Sequence, residues 1–395
     1  MAVSSFPITN VGAVVIGGDY QGLGIVRSLG RHQVPVCVID DEQSIARYSK
    51  YTTHFVPVSD LRDERKAVDA LLECGRRLKL NGWVLYPTRD ETVAALSRHR
   101  EELEEVYRVP TPAWSTVQWA WDKRQTYRLA RELGIPTPRS WTAKSVAEAR
   151  ELDLTFPVAV KPAIKERFFY VTRAKAWRAN NWAELKEQFE RATKLVGFSE
   201  VILQDLIPGD GRHQFAFCAF FKEGTSVASM VVQRTRQHPS EFGRASTFVE
   251  STESKLLETM SERFLKTIDY YGLTEMEYKL DPRDGEFKLL DVNARTWGYH
   301  SLGHRAGVDF PYLLFRDQLQ MTTRQGRGEP GIAWIRFLTD LPTAASEILS
   351  GKLALKEYLR TLRTANVEAV FSIEDPFPGM AELMLLPYLA IKRGF

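Results

Sequence analysis

Residues 11–41 constrain the fold of this chain more than any other stretch. VGAVVIG is a short apolar run, GDYQGLGIVRSLGRHQ is a glycine-rich turn opening into a helix, and VPVCVID is a second apolar run ending at Asp40 and Asp41. Strand, glycine turn, helix, strand and acid make the βαβ unit of a doubly wound parallel sheet. The glycines fall at Gly17, Gly18, Gly22 and Gly24, which is not GxGxxG spacing. A tight βα turn in a Rossmann-like domain therefore fits better than a nicotinamide dinucleotide fingerprint. Farther on, GWVLYPTRDETVAALSRHREEL reads as a strand whose polar loop, Pro87, Thr88, Arg89 and Asp90, leads into a helix. Loops at the carboxyl ends of such strands are where ligands sit. The prolines of RVPTPAWST break the pattern and set a first domain at 1–118.

The chain then changes character. WDKRQTYRLARELGIPTPRSW reads as an amphipathic helix stopped by Gly134 and Pro136, and FPVAVKP as a buried strand carrying Lys161. EVILQDLIPGDG is a strand leaving through a Pro-Gly turn. HQFAFCAFFKEGTSVASMVVQRTRQHP is a hairpin about Glu223–Gly224, and MEYKLDPRDGEFKLLDVNAR a second one turned at Asp281–Gly285. Hairpins mixed with helices describe an α+β, largely antiparallel domain over 119–320, following the α/β domain before it. Residues 321–395 form a less periodic C-terminal extension packed on the body. It ends in GMAELMLLPYLAIKRGF, which reads as a packed helix or as an interfacial membrane or partner contact.

Composition narrows the function classes. With 44% hydrophobic and 26% charged residues, the 395-residue chain has the make-up of a globular protein. A net charge of +3 without a long Lys/Arg run gives no footprint for nucleic acid. Cys37, Cys74 and Cys218 form no CxxC, which argues against a disulfide scaffold or zinc knuckle and suits a reducing compartment. The opening MAVSSFPITN lacks a basic segment followed by an apolar core, so no signal peptide is expected. No run of about 20 apolar residues is present. A cytoplasmic protein is expected, with homodimers as the base expectation for assembly.

The chemistry concentrates in KLLDVNARTWG, residues 288–298. A strand alternates faces, so Asp291, Asn293 and Arg295 share one side while Leu290, Val292 and Ala294 share the other. Such a row is costly if buried without partners. With the second hairpin centred near Asp284, Glu277 falls opposite Asp291. Two carboxylates facing each other repel unless a cation lies between them. A hard divalent ion taking carboxylate and amide oxygens resolves the conflict, and Mg²⁺ of this kind usually arrives with substrate phosphates. Lys161, on an apolar strand, and Lys123, opening a helix, are candidate phosphate partners.

The ordered set DK…ELGIPTP, FPVAVKP, VILQDLIPG and MEY…LLDVNAR resembles the ATP-grasp superfamily over about residues 11–320. It looks closest to the carbamoyl-phosphate-synthase-like and carboxylate–amine ligase branch. The resemblance implies a Rossmann-like pre-ATP-grasp domain followed by an ATP-grasp domain with a lid at about 140–205. It implies that Lys123 and Lys161 hold nucleotide phosphates, with Lys161 also catalytic. Gln204, Asp205, Leu206 and Ile207 fall where the hinge reads adenine, and Glu277, Asp291 and Asn293 match magnesium ligands. Arg295 matches an arginine facing the transferred phosphate or the acyl intermediate. ATP and Mg²⁺ (or Mn²⁺) are the implied cofactors.

The implied reaction attacks the γ-phosphate with a carboxylate and displaces the phosphate with an amine, both small-molecule substrates. Two departures stand out. AIKERFFYVTRAKAWRANN carries no glycine-rich loop after Lys161, so Lys165, Arg167 or Lys175 would cover the phosphates. GDGRHQ offers Asp210, His213 or Gln214 for the ribose without choosing among them. Arg234 and Arg236, spaced to share a strand face, are candidates to grip substrate carboxylate or phosphate. His300 and His304, four apart without a third ligand nearby, read as packing or capping residues. The rival functions are a nucleotide sensor without turnover and a nicotinamide-dependent oxidoreductase.

Overall fold

The computed structural model describes residues 11–239, 241–243 and 245–393, so the expectation drawn from MAVSSFPITN lies outside the described residues. The first unit is the doubly wound one. β1 (Ala13–Ile16), α1 (Tyr20–Arg31), β2 (Val36–Asp40), β3 (Thr52–Pro57), α2 (Glu64–Leu78), β4 (Val84–Pro87) and α3 (Asp90–Arg98) build a sheet of order β3-β2-β1-β4. All its pairings are parallel. β1, β2 and β4 are buried along their whole length, as expected for apolar strands covered on both faces. At the β1–α1 turn Gly17 has φ +93°, and a Cβ there would stand 2.2 Å from the Thr88 hydroxyl. Only glycine closes this turn without strain.

The central sheet has eight strands. From one edge its order is Phe287–Asn293, Gly272–Leu280, Gln214–Lys222, Thr225–His238, Ala245–Thr252, Ala333–Ile335 and Ala365–Glu368, with Gly326–Arg327 alongside Thr225–His238. The first five pair antiparallel in sequence-adjacent hairpin fashion, apart from the crossover that sets Gly272–Leu280 beside Gln214–Lys222. Glu223 and Gly224 turn the first hairpin with φ of 52° and 76°, the left-handed pair a two-residue turn demands. A third, antiparallel sheet orders Ser140–Trp141, Val201–Asp205, Val158–Pro162 and Trp177–Ala179. Helix Trp182–Val196 covers it with Leu185 and Phe189.

The residues after 320 contribute more than packing. Three of their strands enter the central sheet, so a division at 320 crosses a continuous hydrogen-bonded ladder. Two buried arginine–acid pairs then fasten the extension to the body, and a third ties it together internally. Arg236 meets both carboxylate oxygens of Asp340 at 2.9 and 2.8 Å, Arg27 meets Asp375 at 2.9 Å, and Arg336 meets Glu382 at 2.8 Å. Among the described residues no helix is long and apolar enough to cross a membrane.

Candidate active site

The second hairpin brings Glu277 directly opposite Asp291, and Glu275 opposite Asn293. The alternation expected upstream of Asp291 does not hold. Pairing runs Leu280↔Phe287 and Tyr278↔Leu289, then Leu290 is left out and pairing resumes at Glu277↔Asp291. This one-residue bulge lets Leu289 and Val292 both enter the core while Asp291 and Asn293 keep the other face. The Leu290 carbonyl accepts from the Tyr127 hydroxyl at 2.8 Å.

Every acid on this face has a cationic or amide partner. The Asn293 amide donates to Glu275 at 3.0 Å and to Glu277 at 3.1 Å. Arg234 grips Glu277 and donates its Nε to Ser246 at 2.7 Å. Lys123 donates to Asp291 at 2.7 Å. Burial opposes the charge of Glu277, but Arg234 and then Lys175 more than offset it and hold its pKa below the usual range. Burial raises the neighbouring Glu275, and the Glu277 charge raises it further. Lys123 loses solvation, yet Asp291 keeps its pKa above that of an ordinary lysine. It stands at the first position of helix Lys123–Glu132, capped by Asp122.

Arg295 leaves the strand end and reaches across to the first domain. Its Nε donates to Asp90 at 2.5 Å, and one terminal nitrogen donates to Asp90 at 3.2 Å and to Asn293 at 3.4 Å. Lys165 pairs with the same Asp90, and Tyr170 donates to Glu91, so Asp90 and Glu91 at the start of α3 both bind helix Lys165–Thr172. Where the resemblance leads to the expectation of a glycine-rich loop, residues Lys165–Thr172 form a helix. Arg167 is exposed on it. Lys175 is drawn below its ordinary pKa by burial, against the opposing pull of Glu277. Lys161 is buried and donates to Tyr127 and Gln204, both at 2.7 Å, and Gln204 in turn donates to Ser140 at 2.8 Å.

At the hinge, Asp205 and Ile207 are buried and Leu206 half-buried. One Asp205 oxygen lacks a hydrogen-bond partner, and Lys279 donates to the carbonyls of Ile207 and Gly209 at 2.8 Å each. Asp90, Lys123, Lys165, Glu166, Asp291 and Asn293 line a cavity of about 30 Å³.

Arg236 does not join the group. The strand register slips between Gln233 and Arg236, and Arg236 turns to Asp340, Phe248 and Tyr358 as part of the anchor described above. Asp210 caps a short 3-10 turn and pairs with Arg212. His300 is buried against the Gln21 carbonyl at 2.9 Å and His304 meets Asp309 at 3.1 Å, both packing contacts. In the glycine turn, Asp40 accepts from the Gly18 N–H at 2.6 Å, and Arg89 pairs with Asp40 and Asp41 at 2.9 and 2.7 Å. Both acids that a dinucleotide ribose would need are thus held within the turn.

Glu275 is the site residue that sequence reasoning passed over; Asp90 is singled out there only as part of a ligand-side loop, and Tyr299 reads from the sequence as core packing or a substrate wall. Glu275 could have been found two residues before Glu277 on the same strand face. Tyr299 donates to it. Asp90 lies in the loop singled out at the end of β4, but its partners come from two distant segments.

For a divalent ion, Glu277, Asp291 and Asn293 offer two carboxylates and one amide oxygen on paired strands. Among the described residues no three His, Cys, Asp or Glu side chains converge as a closed metal cage. Two carboxylates with an amide and open positions fit an ion that keeps waters and phosphate oxygens.

Residues 228–316, which span Arg234 to Arg295, match the family model described as the carbamoyl-phosphate synthase L chain, ATP binding domain. The D-aspartate ligase of Enterococcus faecium (strain Aus0004) is 26% identical over 299 residues, 71% of this chain and 70% of that protein. The L-amino acid ligase from Bacillus licheniformis superposes with a TM-score of 0.61 at 16% identity, over 82% of this chain and 78% of that one. The biotin carboxylase domain dimer of Hydrogenobacter thermophilus 2-oxoglutarate carboxylase, in complex with MgADP, superposes at 0.63 with 17% identity, over 81% and 73%. The chain has the ATP-grasp fold of these structures. Relatives of this chain include ATP-grasp ligases that form C–N bonds with ATP.

Proposed function

We propose that this protein activates the carboxylate of an amino acid as an acyl phosphate and joins it to an amine, releasing ADP and phosphate. The observation that carries the reading is the register Glu277↔Asp291 with Asn293 beside them, ringed by Lys123, Arg234, Lys175 and Arg295. The D-aspartate ligase relative makes aspartate the first acid to test.

In this reading Lys123, Lys161 and Lys175 neutralise the nucleotide phosphates, while Gln204, Asp205, Leu206 and Ile207 frame the adenine. Glu277, Asp291 and Asn293 hold Mg²⁺, which when bound withdraws charge from the phosphate oxygens. The substrate carboxylate oxygen bonds to the γ-phosphorus as the bond to the ADP oxygen breaks. Such transfer needs positioning and charge stabilisation more than covalent help, and Arg295 supplies a guanidinium beside the metal-binding face. The amine then adds to the acyl carbon, phosphate leaves, and the amine gives up a proton. Arg234 serves this scheme by orienting Glu277.

The test is Mg²⁺-dependent ADP release with pooled amino acids, aspartate among them, and hydroxylamine as the trapping amine. Wild type should give hydroxamate, and Asp291→Asn should lose it while still folding. Nucleotide binding without ADP from any pool would support the sensor instead.

A further inference from the structure

We propose that helix Phe377–Met384, with the flanking Ile373 and Leu386, seats this protein on an anionic lipid surface. Phe377, Met380 and Met384 recur at helical spacing on one side of the first helix and all face outward. Ile373 before them is fully exposed, and Leu383 and Leu386 add to the same exposed segment. The opposite side, Pro378, Gly379, Ala381 and Glu382, is buried against the body. An apolar stripe left outside a complete core marks a contact surface.

Charge decides what covers it. Each acid of the segment is already engaged: Glu374 with Arg31 at 3.4 Å, Asp375 with Arg27 at 2.9 Å, and Glu382 with Arg336 at 2.8 Å. The neighbouring turn supplies cations. Asp375 accepts from the Ser49 hydroxyl at 2.7 Å and the Lys50 N–H at 2.9 Å, which fixes residues 47–50 beside the helix. Arg47 and Lys50 are exposed there, with no acid paired to either among the described residues, and Tyr48 is exposed between them. Outward apolar side chains rimmed by cations that no acid neutralises, and by an aromatic, complement an anionic bilayer surface. A second copy would set this basic rim against itself. Because no described helix can span a bilayer, the contact lies on the surface.

The test is co-sedimentation of the full chain with vesicles of phosphatidylcholine alone and of phosphatidylcholine containing phosphatidylglycerol, at low and high salt. Binding should require the anionic lipid and fall with salt. Met384→Glu should weaken it roughly tenfold or more, the cost of forfeiting one buried apolar side chain. Lys50→Gln should weaken it about fivefold, the share of one cation near the surface. Should Met384→Glu fail to fold, the wild-type ratio between the two vesicle compositions and the Lys50→Gln variant decide the matter. Absence of binding to anionic vesicles overturns the proposal. So does binding indifferent to both variants, or a solution dimer that Met384→Glu splits.

Discussion

Asp90 holds Arg295 and Lys165 together across the boundary between the first domain and the lid, and removing its charge should leave both cations buried without a counter-ion. Asp90→Asn keeps the shape and one acceptor oxygen but loses both ion pairs. The three side chains are 18%, 14% and 25% exposed, so solvent screens them little. Breaking a buried pair costs about 3–5 kcal/mol, and the retained amide oxygen argues for the lower end, about 3 kcal/mol. With a urea slope of about 3 kcal/mol/M, the unfolding midpoint should fall by roughly 1 M.

Nucleotide phosphate should reverse that loss, because Lys165, a candidate from the sequence to cover the phosphates, would exchange Asp90 for phosphate. Freed from that competition, the variant should bind Mg-ATP up to roughly a hundredfold more tightly than wild type, about 1.4 kcal/mol per factor of ten. The gap between the two urea midpoints should therefore narrow at saturating Mg-ATP. A gap of unchanged width, or a variant that loses nucleotide binding outright, would refute the reasoning. Acid provides a second check. Burial raises the Asp90 pKa, but Arg295 and then Lys165 more than offset it, so the folded value lies below the ordinary one. A depressed acid stabilises fully above its unfolded pKa of about 3.9 and loses that contribution as pH falls toward the folded value. The wild-type advantage over Asp90→Asn should accordingly shrink below about pH 4 and stay constant above it.

Asp375→Ala should cost about 3–5 kcal/mol in urea unfolding, since Arg27 and the Ser49 hydroxyl would be stranded in a buried site. Gly17→Ala should destabilise by about 1–3 kcal/mol through its left-handed backbone and the Thr88 contact, read by the same titration. Tyr127→Phe removes the acceptor of Lys161 and the donor to Leu290. It should cost about 1–3 kcal/mol and raise the KM for ATP, with a wild-type KM counting against a role for Lys161 in phosphate binding.

What the sequence made legible were features governed by local rules. Counting residues about the Asp281–Gly285 turn reached the Glu277↔Asp291 pairing, and Glu223–Gly224 marked the first hairpin by its need for left-handed backbone. The count succeeded although the loop and the bulge at Leu290 each moved the register, the two shifts acting in opposite directions. No composition signal separates a bulged leucine from a paired one. Arg236 was misread because a strand-face argument assumes unbroken alternation, and the register slips within one turn of it. Strand Ala333–Ile335 is three residues long, too short to show a period, so the sheet's continuation past 320 was hidden. The lid contacts depend on which distant carboxylate Lys165 meets, and chain order does not encode that.

The strands from beyond 320 also have a consequence for solubility. Ala333–Ile335 covers the free side of Ala245–Thr252, a mostly buried run of eight residues that includes Phe248 and Val249. Ending the chain near 320 would turn that strand into an open sheet edge, with unpaired N–H and C=O groups beside exposed apolar side chains. Such an edge is a template for strands of other molecules. A fragment holding every proposed catalytic residue would thus be expected to aggregate, and the last segment of the chain guards the sheet that carries the chemistry.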